Sequence, residues 1–279
     1  MKKTVVLTCS LWLAGLHTNA YADSLPLWEL GASFAWMQLA DYRGSAEKSN
    51  YLVPLPYVAY RGERLRVGRT GIKGVLYDTE RTEADISLFG SPPVESDDVA
   101  ARAGMEDLDA TLEIGPTLAF KFFESQDKIT SLEFNLPLRA VIATDLRHFD
   151  PNGWVFFPHL DLLREYYPKG LNTRFEISAG PLFATQDYHE YFYGVAEQDA
   201  TAQRPAFEAS GGYSGARLLI NYRRYFTEHL IFRAFFVHDD LSGAAFADSP
   251  LVTDKNTFIG GVMLTWIFSH SQTLVPYDE

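Results

Sequence analysis

From Leu108 to Phe122 apolar and polar residues take turns one by one: Leu108, Leu112, Ile114, Leu118, Phe120 and Phe122 oppose Asp109, Thr111, Glu113, Thr117 and Lys121. A period of two places successive side chains on opposite faces of an extended strand, whereas a helix needs a period of 3.6. The same alternation recurs in other segments. Leu171, Thr173, Phe175, Ile177, Ala179 and Phe183 share one face, and Asn172, Arg174, Glu176, Ser178 and Gly180 the other. Leu132, Phe134, Leu136, Leu138 and Ile142 oppose Glu133, Asn135 and Arg139; Leu218, Ile220 and Tyr222 oppose Arg217, Asn221 and Arg223. Past the N-terminal segment no apolar run approaches the roughly 18 residues of a spanning helix, so only strands are available to cross a membrane.

The pattern extends to strands near 27–38, 50–60, 63–70, 72–78, 82–89, 108–123, 129–143, 153–165, 171–185, 211–223, 228–238 and 256–268. That predicts twelve strands, or ten if the short segments within 63–89 merge. Short connectors, Glu124 to Lys128, Tyr167 to Gly170 and Tyr225 to Glu228, join strands in pairs. Longer polar stretches near 39–50, 91–107, 187–210 and 239–255 separate the pairs. Short turns on one side and long loops on the other describe an antiparallel transmembrane β-barrel, with periplasmic turns, extracellular loops and, for an even count, both ends in the periplasm.

The N-terminus agrees with export. Lys2 and Lys3 precede an apolar run from Val5 to Leu16 and then Ala20-Tyr21-Ala22. A basic start, a short apolar core and a small-x-small site predict a cleavable signal over 1–22, cut after Ala22, with the barrel domain over 23–279. The one cysteine, Cys9, falls in the signal, and Leu7-Thr8 stands too early for a lipoprotein box. Disulfide and thiol chemistry are thereby excluded from residues 23–279. The formal net charge is −12. An acidic chain repels polyphosphate, so no nucleic-acid partner is expected.

Alternation alone fits a soluble barrel with an apolar interior as well as a membrane barrel with an apolar exterior. Three features favour the membrane. The polar face carries charges of both signs at intervals, including Glu113, Lys121, Arg139, Arg174, Glu176 and Arg233. Aromatic residues gather near strand ends, as at Trp28, Trp36, Tyr57, Tyr60, Trp154, Tyr166, Tyr167, Tyr222, Tyr225 and Trp266, which predicts interfacial girdles. The last alternating segment closes on Phe268, the kind of aromatic end that marks barrel assembly, though Ser269 to Glu279 follow it as a short tail. Pro54 and Pro56 fit poorly, because proline donates nothing to a ladder and a closed barrel has no free edge; a bulge or a rim position is expected there.

Several local patterns, in order along the chain, resemble the MipA/OmpV family, the MltA-interacting protein family of outer-membrane proteins. They are Asp41-Tyr42-Arg43-Gly44-Ser45, Pro54-Leu55-Pro56, Tyr60-Arg61-Gly62, Gly104-Met105-Glu106-Asp107-Leu108 and Glu113-Ile114-Gly115-Pro116. Tyr188, Tyr191-Phe192-Tyr193-Gly194-Val195, Leu241-Ser242-Gly243-Ala244-Ala245 and Ser249-Pro250-Leu251-Val252 complete the series. The resemblance implies an outer-membrane location and a scaffold role, tying a lytic murein transglycosylase to a murein synthase. Other members look like adhesins or envelope-stress proteins. It supplies no catalytic residues.

The residues themselves nominate no catalytic, cofactor or metal site. His238-Asp239-Asp240, at the outer end of a strand, has the residue types with which barrel proteases activate water, but half a site is present and loop charge explains it better. His159 and Asp161, with Glu165 further along, read as a lumen hydrogen-bond group, since ligands from one strand cannot converge on zinc. No Gly-rich phosphate loop follows a strand and opens a helix. Glu113, Glu133 and Glu176 are expected to pair with Arg139, Arg174, Arg217 and Arg223 and to fill the interior; a narrow channel is the alternative. The expectation is a non-enzymatic barrel in contact with outer-membrane lipid and lipopolysaccharide, a scaffold first, then a narrow solute channel, then an adhesin acting through acidic loops such as Asp97-Asp98.

Overall fold

The computed structural model describes residues 24–68, 71–166 and 172–276; the expected signal over 1–22, Cys9 and the connector Tyr167 to Gly170 lie outside the described residues. The strands are β1 (Ser24–Pro26), β2 (Trp28–Ala40), β3 (Lys48–Arg61), β4 (Leu65–Gly68), β5 (Gly71–Asp78), β6 (Thr82–Ser91), β7 (Ala110–Glu124) and β8 (Thr130–Thr144). After them come β9 (Phe149–Phe156), β10 (His159–Tyr166), β11 (Thr173–Ala184), β12 (Gly212–Tyr225), β13 (Leu230–Asp240), β14 (Asn256–His270) and β15 (Leu274–Pro276).

Neighbours in sequence pair antiparallel, and β14 pairs with β2, from Gly260↔Gln38 to His270↔Glu29, to close the ring. β9 and β10 are two halves of one wall strand, because both pair with β8 on one side and β11 on the other. The wall therefore has the predicted twelve strands, and the ten-strand alternative falls. The break is at Phe157-Pro158, where proline lacks the ladder donor. Gly180 lies opposite, and a Cβ there would stand 2.1 Å from the Pro158 carbonyl oxygen, so only glycine fits.

Period-two patterning decides which face is which. Phe175, Leu138, Leu264 and Trp266 are exposed on the outside, whereas Arg174, Glu176, Arg139 and Arg217 line a central cavity. An apolar belt of this extent would be an aggregation surface in water and is the ordinary exterior of a barrel in lipid. Two girdle assignments are corrected. Tyr225 is buried, and Tyr57 turns inward to donate to Glu29 Oε2 at 2.9 Å. Both sit at strand ends near the periplasmic rim, so position alone could not separate an inward ring from an interfacial one.

The short turns are at the end that carries β1 and β15, which pair Ser24↔Pro276, Leu25↔Val275 and Pro26↔Leu274. β14 continues two residues past Phe268, and part of the tail returns as β15. The long loops gather at the opposite end. They are not the polar excursions expected from sequence. The loop between β11 and β12 opens with a helix, α1 (Gln186–Tyr193), and the loops share one apolar core.

Candidate functional site

The functional region is the barrel lumen together with the layers that close it. At the periplasmic end the Arg61 guanidinium meets Glu29 at 2.9 Å and also donates to the Pro26 carbonyl at 2.8 Å. Beside them Arg223 donates to Glu165 at 3.1 Å and to Asn172 Oδ1 at 3.0 Å, while Asn172 Nδ2 donates to Glu165 at 2.6 Å. Arg233 lies 5.1 Å over the Tyr57 ring, and Tyr225, Ile231 and Ile267 pack as a buried cluster against Tyr57. These strand ends place long cations and aromatic rings inward at one height, where they narrow the bore and form the lower lining of its cavity.

Above that floor is a cavity of 510 Å³ with an ionic lining. Arg66 bonds Glu83 at 2.9 Å and Asp78 at 3.0 Å; Lys73 pairs with Glu83 and, at 3.3 Å, with Asp85. Arg174 meets Glu176 at 3.2 Å, and Arg139 meets Glu113 at 3.9 Å while lying 4.2 Å over the Phe89 ring. Two of the expected Arg–Glu pairs therefore form. Two are reassigned: Arg217 takes Asp239 and Arg223 takes Glu165. Glu133 faces Lys121 in register. Ion pairs of this kind contribute little net stability against apolar packing, but each fixes its partner, because an orphaned buried charge is costly.

His159 Nε2 stands 3.4 Å from Asp161, which also accepts from Asn135 Nδ2 at 2.7 Å, so this is the lumen hydrogen-bond group expected from sequence. Glu165 lies apart from it, in the floor. The His238-Asp239-Asp240 run does not converge. His238 stacks on Phe258 at 4.4 Å, Asp240 accepts from Ser242 N at 2.8 Å, and Asp239 alone turns inward. The loop-charge reading of this run is also corrected, since all three residues belong to β13. Among the described residues no group of three His, Cys, Asp or Glu side chains could hold a metal ion.

Asp239 marks the top of the lumen. It accepts both Arg217 Nε and Nη2, at 2.8 and 2.9 Å, and lies 3.5 Å from Arg43, whose Nη2 donates to the Ser214 carbonyl. Over this knot sits the cap. Tyr193 stacks on Phe246 at 3.6 Å with the rings 5° from parallel, and Tyr42, Val99, Leu241 and Leu251 complete the buried core. The loops are stitched by polar bonds: Tyr42 OH to Leu251 O at 2.6 Å, Tyr193 OH to Arg43 O at 2.9 Å, and Ser249 Oγ to Tyr193 O at 2.7 Å. Gly44, at φ +93°, turns its carbonyl to accept both Thr253 N and Asp254 N, a backbone position that favours glycine.

Within α1, His189 and Tyr193 are four residues apart and share the buried face, as helical spacing dictates. His189 Nδ1 donates to the Ser210 carbonyl at 2.6 Å, which leaves Nε2 to accept from Ser214 Oγ at 2.8 Å. A hydroxyl on an imidazole has the form of a nucleophile with its base. Here both residues are sealed, at 0% and 1% exposure, and the pair fastens α1 to β12. Burial lowers the His189 pKa and keeps the ring neutral; burial likewise lifts the Tyr42 hydroxyl to about 12, so it remains a donor. Sequence reading missed this cap. Its one available signal was the apolar content hidden in loops classed as polar, Tyr191-Phe192-Tyr193, Leu241 and Phe246.

A closed antiparallel barrel, apolar outside and ionic inside, with short turns at the end that gathers both described termini, is a bacterial outer-membrane β-barrel. The chain belongs to the family of the MltA-interacting protein MipA, whose model matches residues 30–268. It is similar to outer membrane protein Omp26La of Vibrio anguillarum, 24% identical over 228 residues that cover 75% of this chain and 76% of that protein. It is also similar to outer membrane protein OmpV of Vibrio cholerae, 32% identical over 95 residues, a stretch covering 32% of this chain and about a third, 34%, of OmpV. Solved structures with a similar course include a bacterial polysaccharide outer membrane secretin (8% identical, TM-score 0.42, 88% of this chain and 99% of that one). The NanC porin is another (7% identical, TM-score 0.37, 86% of this chain and all of that one, 100%). The patterns around Tyr42, Met105, Tyr193, Leu241 and Leu251 that carry the family resemblance meet in the cap.

Proposed function

We propose that this protein is a non-catalytic interaction barrel, exported with cleavage after Ala22, whose periplasmic rim holds a lytic murein transglycosylase, and with it a murein synthase, against the outer membrane. The observation that carries this reading is the packing of side chains across both ends of the bore, the Glu29–Arg61 and Arg223–Glu165 layer below and the Tyr193–Phe246 core above. A barrel obstructed in this way is better suited to work through its surfaces than as a conduit. The description of its family as MltA-interacting supports the choice of partner. Among the described residues the rim is braced by backbone and side-chain bonds. β1 and β15 tie the two ends of the described chain, and the β7–β8 turn is held by Ser125 Oγ donating to Asp127 at 2.6 Å and by Ile129 N donating to the same carboxylate at 3.1 Å.

Photo-crosslinking residues introduced at Lys128 and Glu228, in intact cells, are expected to yield adducts with a murein transglycosylase. Recovery of lipid and lipopolysaccharide adducts alone would count against the scaffold. A narrow solute channel is the second reading, favoured by the 510 Å³ ionic cavity.

A further inference from the structure

The wall is interrupted beside β3. β4 has four residues and β5 eight, whereas a strand needs about 9–11 to cross the hydrocarbon. This hairpin stops short, with Gly68 and Gly71 as its last paired residues. β3 keeps its whole ladder with β2, from Trp28↔Tyr60 to Ala40↔Lys48, but meets β4 only at Tyr60↔Val67 and Arg61↔Arg66. Among the described residues, 48–59 have no strand on that side. Across the opening β6 is paired with β5 as far as Leu88, which leaves Phe89, Gly90 and Ser91 as the opposite post. The loop after β6 spans the top, where Ala100 N donates to Glu47 Oε2 at 3.0 Å.

The backbone of β3 suits a free edge. Arg61 N donates to Leu27 O on the β2 side and Gly62 N to Leu65 O on the other, so even-numbered positions aim their donors at the opening. Pro54 and Pro56 are both even and have no donor to lose. The prolines that fit poorly in a closed wall therefore occupy neither a bulge nor a rim; they lie along this edge, and Leu52 (62% exposed) and Val58 (48%) flank them. The same missing donors obstruct a continuous ladder with any added strand. Unpaired backbone at membrane depth is tolerated where it lines a wet cavity, and the lumen cavity does reach Gly68, Gly71, Gly90 and Ser91.

Just inside, the lumen changes character. Register places Met37, Tyr51, Val53 and Leu55 on the inward face, with Met263 alongside on β14, an apolar strip on the extracellular side of Tyr57 and Ala59, which belong to the cavity lining. Tyr51 and Leu55 remain exposed within it. The cavity is within the range of about 300–1,000 Å³ common for small-molecule sites. With side chains of the cap and the floor obstructing the axis, the opening beside β3 offers a route from the membrane. We propose that this window admits a single-tailed amphiphile from the outer leaflet, its tail along the Met37–Leu55 strip and its polar head toward the charged lining. The proposal goes beyond the scaffold role and does not rest on it.

The test uses the full barrel in phosphatidylcholine vesicles, with dansylaminoundecanoic acid as probe. Wild type is expected to give saturable probe fluorescence above that of empty vesicles. A Tyr51→Cys/Ser91→Cys variant, bridged by a bismaleimide from a graded length series and verified by gel mobility, is expected to lose probe entry, and Leu55→Asp to weaken binding about tenfold. Amide exchange supplies a readout that needs no variant: Leu52 and Val58 should exchange fast, and Val53 and Tyr57, which donate toward β2, slowly. No saturable signal in wild type, unchanged entry after bridging, or protected Leu52 and Val58 amides, as a strand from a second copy would produce, each overturns the proposal.

Discussion

Replacing Tyr193 by alanine is expected to unfasten the extracellular cap while the barrel stays folded. Tyr193 is 1% exposed, its ring stacks on Phe246 at 3.6 Å and its hydroxyl donates to Arg43 O, so the side chain joins three loops; the backbone carbonyl that accepts from Ser249 Oγ stays in the variant. Truncating a buried aromatic of this size costs about 3–5 kcal/mol, and the cap has no second core to absorb the loss. The wall draws its stability from its own strand ladder, separate from the cap. Two readouts therefore diverge. Added protease should nick the loops between β11 and β12 and between β13 and β14 in intact cells, while heat-modifiable migration of the barrel on a gel is retained. A Tyr193→Phe variant keeps the stacked ring, loses only the donor to Arg43 O, and should remain resistant.

Asp239→Ala is expected to destabilise the junction of cap and barrel by about 3–5 kcal/mol, the usual consequence of orphaning buried charges. Asp239 is 3% exposed and answers two guanidiniums, Arg217 at 2.8 and 2.9 Å and Arg43 at 3.5 Å. Arg43 carries the effect upward, because its neighbours Tyr42 and Gly44 belong to the cap. Thermal unfolding followed by gel shift measures the loss. The double variant Asp239→Leu/Arg217→Met should recover part of it, since apolar replacements of a buried pair are often tolerated where single removals are not. A single variant as stable as wild type would mean that water already screens Asp239.

The wall was almost fully legible. Alternation such as Phe175–Ile177 against Arg174–Glu176 fixes both the strand and its facing, because a slip of one residue would send every charge into lipid. β11 therefore falls at Thr173–Ala184 against a predicted 171–185, and β14 at Asn256–His270 against 256–268. The interior was legible as a class and not as pairs. Arg217 was matched to a glutamate and takes Asp239, because partner choice depends on stagger between strands, which the pattern within one strand does not record. The cap was illegible for another reason. Tyr42, Tyr193, Phe246 and Leu251 stand far apart among polar neighbours, so no window of sequence shows a period, and the core exists only once the barrel brings four loops to one mouth. The prolines at 54 and 56 were the reverse case. They signalled a misfit, but the bulge or rim expected there is not found, and only the shortness of β4 shows that they lie on the side of β3 without a partner strand.

Nitroxide labels on β11 test the arrangement most directly, with Phe175→Cys, Ile177→Cys, Arg174→Cys and Glu176→Cys prepared one at a time and the protein reconstituted in lipid. Labels at 175 and 177 should relax with dissolved oxygen and ignore a water-soluble nickel chelate, as lipid-facing sites do, while labels at 174 and 176, enclosed in the lumen, should respond weakly to oxygen. Labels at 174 and 176 freely reached by the chelate, with those at 175 and 177 shielded from both reagents in a packed interior, would contradict the barrel's orientation of its two faces and the membrane placement with it.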